Sequence, residues 1–283
     1  MRNRLFQWLG IQGHRVIFAL VFILSLNALL AQTPPAEVKP LRNGHSHNDY
    51  WRSRPLQDAL DNGFCSVEAD VFLRKGEFLV GHAEIELILG RNLEKLYLEP
   101  LKERVEKNND CVYPGVDTFY LWIEFKGDPE EAWSVLNPLL EKYKNLFSSV
   151  TDGKLSKGPI QVIITGNRPF KTFEQSKGKT LYATLDESVD DMNRQDRPTW
   201  MVGAINENWK NRFKWDGKGE FPEEEREKLK AIVQKAHQQG RILRFWGAPQ
   251  NGVFWKELQD CGVDLINTDY LVRFRKFAES QAK

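Results

Sequence analysis

Cys65-Ser66-Val67-Glu68-Ala69-Asp70-Val71 is the stretch whose reading decides the fold. Val67, Ala69 and Val71 alternate with Glu68 and Asp70, the period of two that marks a β-strand, so both carboxylates project from one face. The apolar flanks argue for an interior strand, and two acids pointing inward repel each other and lose solvation unless something positive sits between them. A divalent cation is the simplest such partner.

Working outward, short β-rich segments recur at Leu41–His45, Ser66–Phe72, Phe119–Phe125, Ile160–Thr165, Thr180–Thr184, Thr199–Asn206, Arg241–Trp246 and Val263–Asn267. Helix-like runs lie between them at Pro55–Asp61, Glu99–Lys107, Pro129–Phe147, Pro169–Gln175, Asp186–Arg194, Pro222–Gln239, Gly252–Asp260 and Tyr270–Ser280. Proline opens several of these runs, as suits a first helical turn. Strand and helix in alternation require parallel pairing with covered faces, and eight such units in 283 residues match an α/β fold of the (β/α)8 TIM-barrel type. A doubly wound open sheet would give a similar string.

The chain carries 40 Lys plus Arg against 39 Asp plus Glu, with no basic stripe, which excludes a nucleic-acid-binding role. Three cysteines without C-x-x-C spacing exclude a zinc ribbon and a disulfide-dense scaffold. Residues 1–31 read as a signal peptide: Arg2, Arg4 and Arg15 without an acid, then the apolar run Val16–Leu30 ending at Ala31. That predicts an exported, periplasmic or extracellular protein. The run is shorter than the roughly 20 residues of a spanning helix, so membrane contact through it requires an uncleaved segment. Residues 32–40, with Pro34, Pro35 and Pro40, read as a Pro-rich linker, and 41–283 as the barrel.

In a barrel the chemistry collects at the carboxyl ends of the strands. The first strand ends in Gly44-His45-Ser46-His47-Asn48-Asp49-Tyr50, and the third contains Leu121-Trp122-Ile123-Glu124-Phe125-Lys126, again alternating. A Lys75-Gly76-Glu77 turn after the second strand leads back to Gly81-His82. Glu68, Asp70, Glu124 and Asn48 are oxygen donors suited to a hard cation, Ca2+ or Mg2+, leaving His47 and His82 free as acid and base. Zinc would instead recruit imidazole. Each residue also has a plainer role: Asn48 capping the turn, Lys126 pairing with Glu124, His45 packing behind the strand.

The runs His47-Asn48-Asp49-Tyr50, Ser66-Val67-Glu68-Ala69-Asp70, Gly81-His82 and Gly262-Val263-Asp264-Leu265-Ile266-Asn267-Thr268-Asp269 resemble the phospholipase C-like phosphodiesterase superfamily, in particular its glycerophosphodiester phosphodiesterase branch. The resemblance implies a TIM barrel in which His47 and His82 are catalytic. It also implies that Glu68, Asp70 and Glu124 hold metal, and that Asn48 helps ligate calcium as in phosphoinositide-specific enzymes. Arg244-Phe245-Trp246 resembles the aromatic position on the seventh strand. Where glycerophosphodiesterases carry His-Arg-Gly, this chain has His-Asn-Asp, a pattern similar to the altered inheritance of mitochondria protein 6 subgroup.

These readings converge on a metal-dependent phosphodiesterase for a glycerophosphodiester or phospholipid-headgroup-like ester, a small-molecule or lipid-headgroup substrate, with Lys126, His45, Arg244 and Trp246 as substrate contacts. A barrel that has lost turnover and binds a phosphorylated or sugar ligand is the alternative. A glycosidase using Glu68 and Glu124 would leave Asp70, His47 and His82 unexplained.

Overall fold

The computed structural model describes residues 38–281, so the signal-peptide reading and most of the linker lie outside the described residues. Among the described residues, 40–281 form one compact unit. Its frame is a closed barrel of eight parallel strands, here β1 (Leu41–Ser46), β2 (Phe64–Arg74), β3 (Phe119–Phe125), β4 (Ile160–Gly166), β5 (Thr184–Glu187), β6 (Val202–Asn208), β7 (Ile242–Trp246) and β8 (Leu265–Thr268). Pairing of β1 with both β2 and β8 closes the ring.

The structure moves the fifth strand. The expected segment Thr180–Thr184 splits: Thr180–Leu181 joins a small antiparallel sheet with Ser149–Thr151 and Lys154–Ser156, and the barrel strand is Thr184–Glu187. Asp186 and Glu187, read as the start of a helix, are instead buried strand residues whose charge is met by arginines. The run after them supplies only a short 3-10 turn, Asp190–Asn193.

Four features position the functional end. Strand register sets Asp70 beside Glu124 and Glu124 beside Thr165, so three neighbouring strands present polar side chains at one level. Below that level Trp122, Ile163, Ala204 and Leu265 plug the barrel with buried apolar volume, a low-dielectric floor. Beyond β2 a hairpin turns at Lys75-Gly76 and returns along Glu77–Val80, which carries His82 back over the mouth. A π-helical turn, Glu94–Leu98, places Tyr97 against the end of β1. No helix among the described residues is long and apolar enough to cross a membrane.

Candidate active site

The carboxyl end of the barrel opens into a cavity of about 570 Å3. His47, Asn48, Glu68, His82, Glu124 and Lys126 line it, so those six expected residues meet at one place. Arg244 and Trp246 border it as well. Asp70 lies fully buried beneath, between Glu68 and Glu124.

One oxygen from each of Glu68, Asp70 and Glu124 lies within 4.8 Å of the others. Burial and the neighbouring acids push the Asp70 and Glu124 carboxyls above the usual range, against the pull of Lys126. Burial acts the same way on Glu68, but Arg244 and the two histidines beside it hold its carboxyl well below that range. Arg244 donates to Glu68 Oε1 at 3.1 Å, and Lys126 Nζ reaches Asp70 at 2.8 Å and Glu124 at 2.6 Å. Two buried oxygens, Glu68 Oε2 and Asp70 Oδ1, still have no hydrogen-bond partner. An orphaned buried carboxylate oxygen is costly, and two of them in a set of hard donors are what a Ca2+- or Mg2+-sized cation would satisfy. The donor set fits such an ion and contains no thiolate.

The two histidines are held alike. His47 Nδ1 sits 2.8 Å from Asp269 Oδ1, with Nε2 facing the cavity 3.9 Å from Glu68 Oε2. Burial lowers its pKa, but Asp269 and Glu68 outweigh that and raise it, favouring the imidazolium. Asp269 is itself fixed by Gln250 Nε2 at 2.6 Å. His82 Nδ1 sits 3.0 Å from Asp70 Oδ2, and its Nε2 has no hydrogen-bond partner among the described residues. A carboxylate at Nδ1 orients each ring and leaves Nε2 to exchange a proton with a bound molecule.

Two expected substrate contacts change role. His45 does not reach the cavity: it is fully buried, Nδ1 is 2.7 Å from Ser66 Oγ, and Nε2 faces the Arg244 guanidinium. Burial first, then Arg244, pushes its pKa down to about 3, so it is neutral and accepts from Arg244 at Nε2. Arg244 in turn spends its donors on His45, Glu68 and Asn206, and lies over the Trp122 ring at 4.3 Å. The pair braces Glu68 and is not free to grip a ligand. Asn48 does not cap the following turn with its side chain. It takes left-handed backbone at φ 45°, and its Oδ1 lies 2.9 Å from Tyr50 Oη. Lys126 remains at the cavity wall with its charge shared between two acids.

Sequence reasoning missed four residues. Tyr50 Oη lies at the junction of Asn48, Asp70 (2.8 Å) and His82 (3.4 Å). Asp269 orients His47. Arg168, just beyond β4, lines the cavity and is anchored through Nε to Asp186. Gly166, at φ +70°, is a position where a Cβ would come 2.5 Å from Glu124 Cγ, so only glycine leaves Glu124 its place. Tyr50 and Asp269 stood inside quoted motifs. Arg168 carried no local signal, because its role depends on which strands are neighbours.

Comparison with known proteins gives a consistent picture. The family model described as "AIM6-like phosphodiesterase domain" matches residues 35–182, more than half of the chain, a span that holds all four proposed ligands and both histidines. An altered inheritance of mitochondria protein 6 homolog of Arthroderma benhamiae is 29% identical over 80% of this chain and 80% of its own length. The altered inheritance of mitochondria protein 6 of Eremothecium gossypii is 29% identical over 85% of this chain and 70% of its own. Among solved structures, a calcium-dependent phosphoinositol-specific phospholipase C from a Pseudomonas species superposes with a TM-score of 0.59 at 13% identity, covering 86% of this chain and 96% of that one. A glycerophosphodiester phosphodiesterase from Parabacteroides distasonis gives 0.52 at 15%, covering 87% and 100%.

Proposed function

The chain belongs to the AIM6-like phosphodiesterase domain family, and from that premise we propose that it hydrolyses a phosphodiester with His47 and His82 as proton-transfer groups and a divalent cation on the acidic triad. The observation that carries the reading is the pair of orphaned buried oxygens, Glu68 Oε2 and Asp70 Oδ1, at the floor of a cavity whose rim holds two oriented imidazoles.

Glu68, Asp70, Glu124 and Asn48 would hold Ca2+ or Mg2+, which when bound supplies positive charge against a non-bridging phosphate oxygen. The rest is done by the chain. His47 and His82 each present Nε2 to the bound ester, one to take a proton from the attacking hydroxyl and the other to give one to the leaving alkoxide. Asp269 and Asp70 keep the Nδ1 side of each ring occupied. Arg168 offers its guanidinium to a second phosphate oxygen, the contact for which this chain lacks the arginine of the His-Arg-Gly pattern. Trp51 and Trp246, both exposed at the rim, would border the alcohol portion of the ester. Support for export is the leader-like N-terminus. A second reading, a barrel that binds a phosphorylated ligand without turnover, shares every binding contact and differs only in the use of the two histidines.

The test is hydrolysis of bis(p-nitrophenyl) phosphate and of glycerophosphodiesters by wild type, His82→Ala and Glu68→Gln, with and without chelator. Hydrolysis that needs added metal and vanishes in both variants is expected. Hydrolysis that survives chelator or Glu68→Gln overturns the metal assignment, and phosphodiester binding without hydrolysis leaves the non-catalytic reading.

A further inference from the structure

Tyr50 belongs neither to the acidic triad nor to the histidine pair, yet its hydroxyl meets members of both. Oη lies 2.8 Å from Asp70 Oδ2, 2.9 Å from Asn48 Oδ1 and 3.4 Å from His82 Nδ1. The backbone holds it there firmly. Asn48 takes left-handed backbone, the 3-10 turn Asp49–Trp51 follows at once, Arg91 donates to the Tyr50 carbonyl at 2.9 Å, and the side chain is buried.

The hydrogens available at this junction allow one arrangement. A phenol carries a single hydrogen, and a carboxylate or amide oxygen only accepts. Asp70 Oδ2 already faces the Lys126 ammonium at 2.8 Å and His82 Nδ1 at 3.0 Å, so it is an acceptor towards its neighbours. Of the two oxygens within reach of Tyr50, the carboxylate's is the closer and the stronger acceptor, and Tyr50 gives its hydrogen to Asp70. Oη and Asn48 Oδ1 are then left 2.9 Å apart, two acceptors with no proton between them. A half-turn of the Asn48 amide removes the conflict. Nδ2 then donates to Oη, and Oδ1 takes the place of Nδ2. The two ends of a carboxamide are nearly equal in size, so the packing is unchanged. Among the described residues the Asn48 side chain has no other hydrogen-bond partner to oppose the turn, and Asn48 lines the cavity.

We propose that Tyr50 is a positioning residue: by donating to Asp70 and accepting from Asn48, it sets the Asn48 amide with its carbonyl oxygen towards the cation site. The proposal deepens the phosphodiesterase reading and rests on it for what that oxygen would hold; the setting of the amide stands without it. One hydroxyl thereby links the orientation of Asn48 to Asp70, on a different strand. Tyr50→Phe keeps the ring that meets Trp51 edge-on and removes only the oxygen, leaving the amide free to take either setting.

The test has two arms. Ca2+ and Mg2+ are titrated calorimetrically into wild type, Tyr50→Phe, Asn48→Ala and the double variant, each as the full chain. Tyr50→Phe is expected to lower affinity about tenfold, the scale of removing a group that orients a metal ligand, and to lower it by less than about twofold where Asn48 is already Ala. An equal loss in both backgrounds, the result of a role in packing or through Asp70 alone, overturns the proposal, as does undiminished binding by Tyr50→Phe. The second arm needs no metal. Neutron diffraction from perdeuterated wild-type crystals is expected to show a deuteron of Asn48 Nδ2 directed at Tyr50 Oη and the Tyr50 deuteron directed at Asp70 Oδ2. A Tyr50 deuteron directed at Asn48 Oδ1 overturns the proposal. If wild type binds neither ion, the cation reading falls, and the neutron arm still decides where Tyr50 sends its hydrogen.

Discussion

Two groups of buried acids sit at the carboxyl end of the same barrel and are provisioned in opposite ways. On the β5–β6 side Glu187 faces Arg241 and Arg197, Glu207 receives Arg212 through two nitrogens at 2.8 and 2.9 Å, and Asp186 is met by Thr165 and Arg168. None of their oxygens is left without a partner. On the β2–β3 side three carboxylates share Arg244 and Lys126, and two buried oxygens remain orphaned. A buried acid with its own arginine is a structural tie; a crowded set with unmet oxygens is held ready for something that binds. Charge count and burial alone do not separate the two groups. Hydrogen-bond bookkeeping does.

The sharpest way to break this comparison is to neutralise one acid in each group. Asp70→Asn is expected to lower diester hydrolysis by about a thousandfold or more, the scale of losing a charge-stabilising centre. With chelator present its thermal midpoint should equal or exceed that of wild type, because the ionised form of this carboxyl is disfavoured by burial and by Glu68. A fall in stability would place Asp70 with the structural acids. Glu187→Gln should do the reverse. It strips a charge from Arg241, itself buried, and is expected to cost about 3 kcal/mol by urea denaturation while hydrolysis per folded molecule stays within a few-fold.

Asp49 forms a third case, a buried acid served only by neutral donors: Ser46, Tyr97 and the Leu56 amide. Burial outweighs those bonds and lifts its pKa to about 6. The folded chain therefore binds this proton more tightly than the unfolded chain does. The resulting stabilisation is complete below about pH 4 and is lost as pH rises through about 6, an effect of about 2–3 kcal/mol at most. Wild-type stability minus that of Asp49→Asn should fall over that window, measured by denaturation at pH 4, 5, 6 and 7. A flat difference would mean that Asp49 is ionised throughout. The smallest effect belongs to Gly166→Ala. The left-handed backbone and the approach to Glu124 should cost about 1–2 kcal/mol and roughly tenfold in turnover, with the variant still folded by circular dichroism.

Most of this architecture was legible in the sequence because alternation of apolar and acidic residues survives without knowledge of the neighbours. The stretch around Glu68 and Asp70 and the Glu124-Phe125-Lys126 run carried that local signal, and the His-Asn-Asp-Tyr segment carried a motif instead. The fifth strand did not. Thr180–Leu181 has β-forming residues but is used in a side sheet, while the barrel strand ends in Asp186 and Glu187, acids tolerable there only because Arg168, Arg197 and Arg241 arrive from distant positions. The same reason hid the part played by His45. Its place behind Arg244 depends on β7 lying one strand away from β1, with only β8 between them, a relation set by closure and invisible in any window of sequence.

The central claim, that the under-partnered acids await a cation and the arginine-paired acids do not, is tested most directly by calorimetric titration of Ca2+ and of Mg2+ into wild type, Asp70→Asn and Glu187→Gln. Saturable binding of one ion per chain to wild type and to Glu187→Gln, abolished in Asp70→Asn, is the predicted result. Failure of wild type to bind either ion, or undiminished binding by Asp70→Asn, would contradict it.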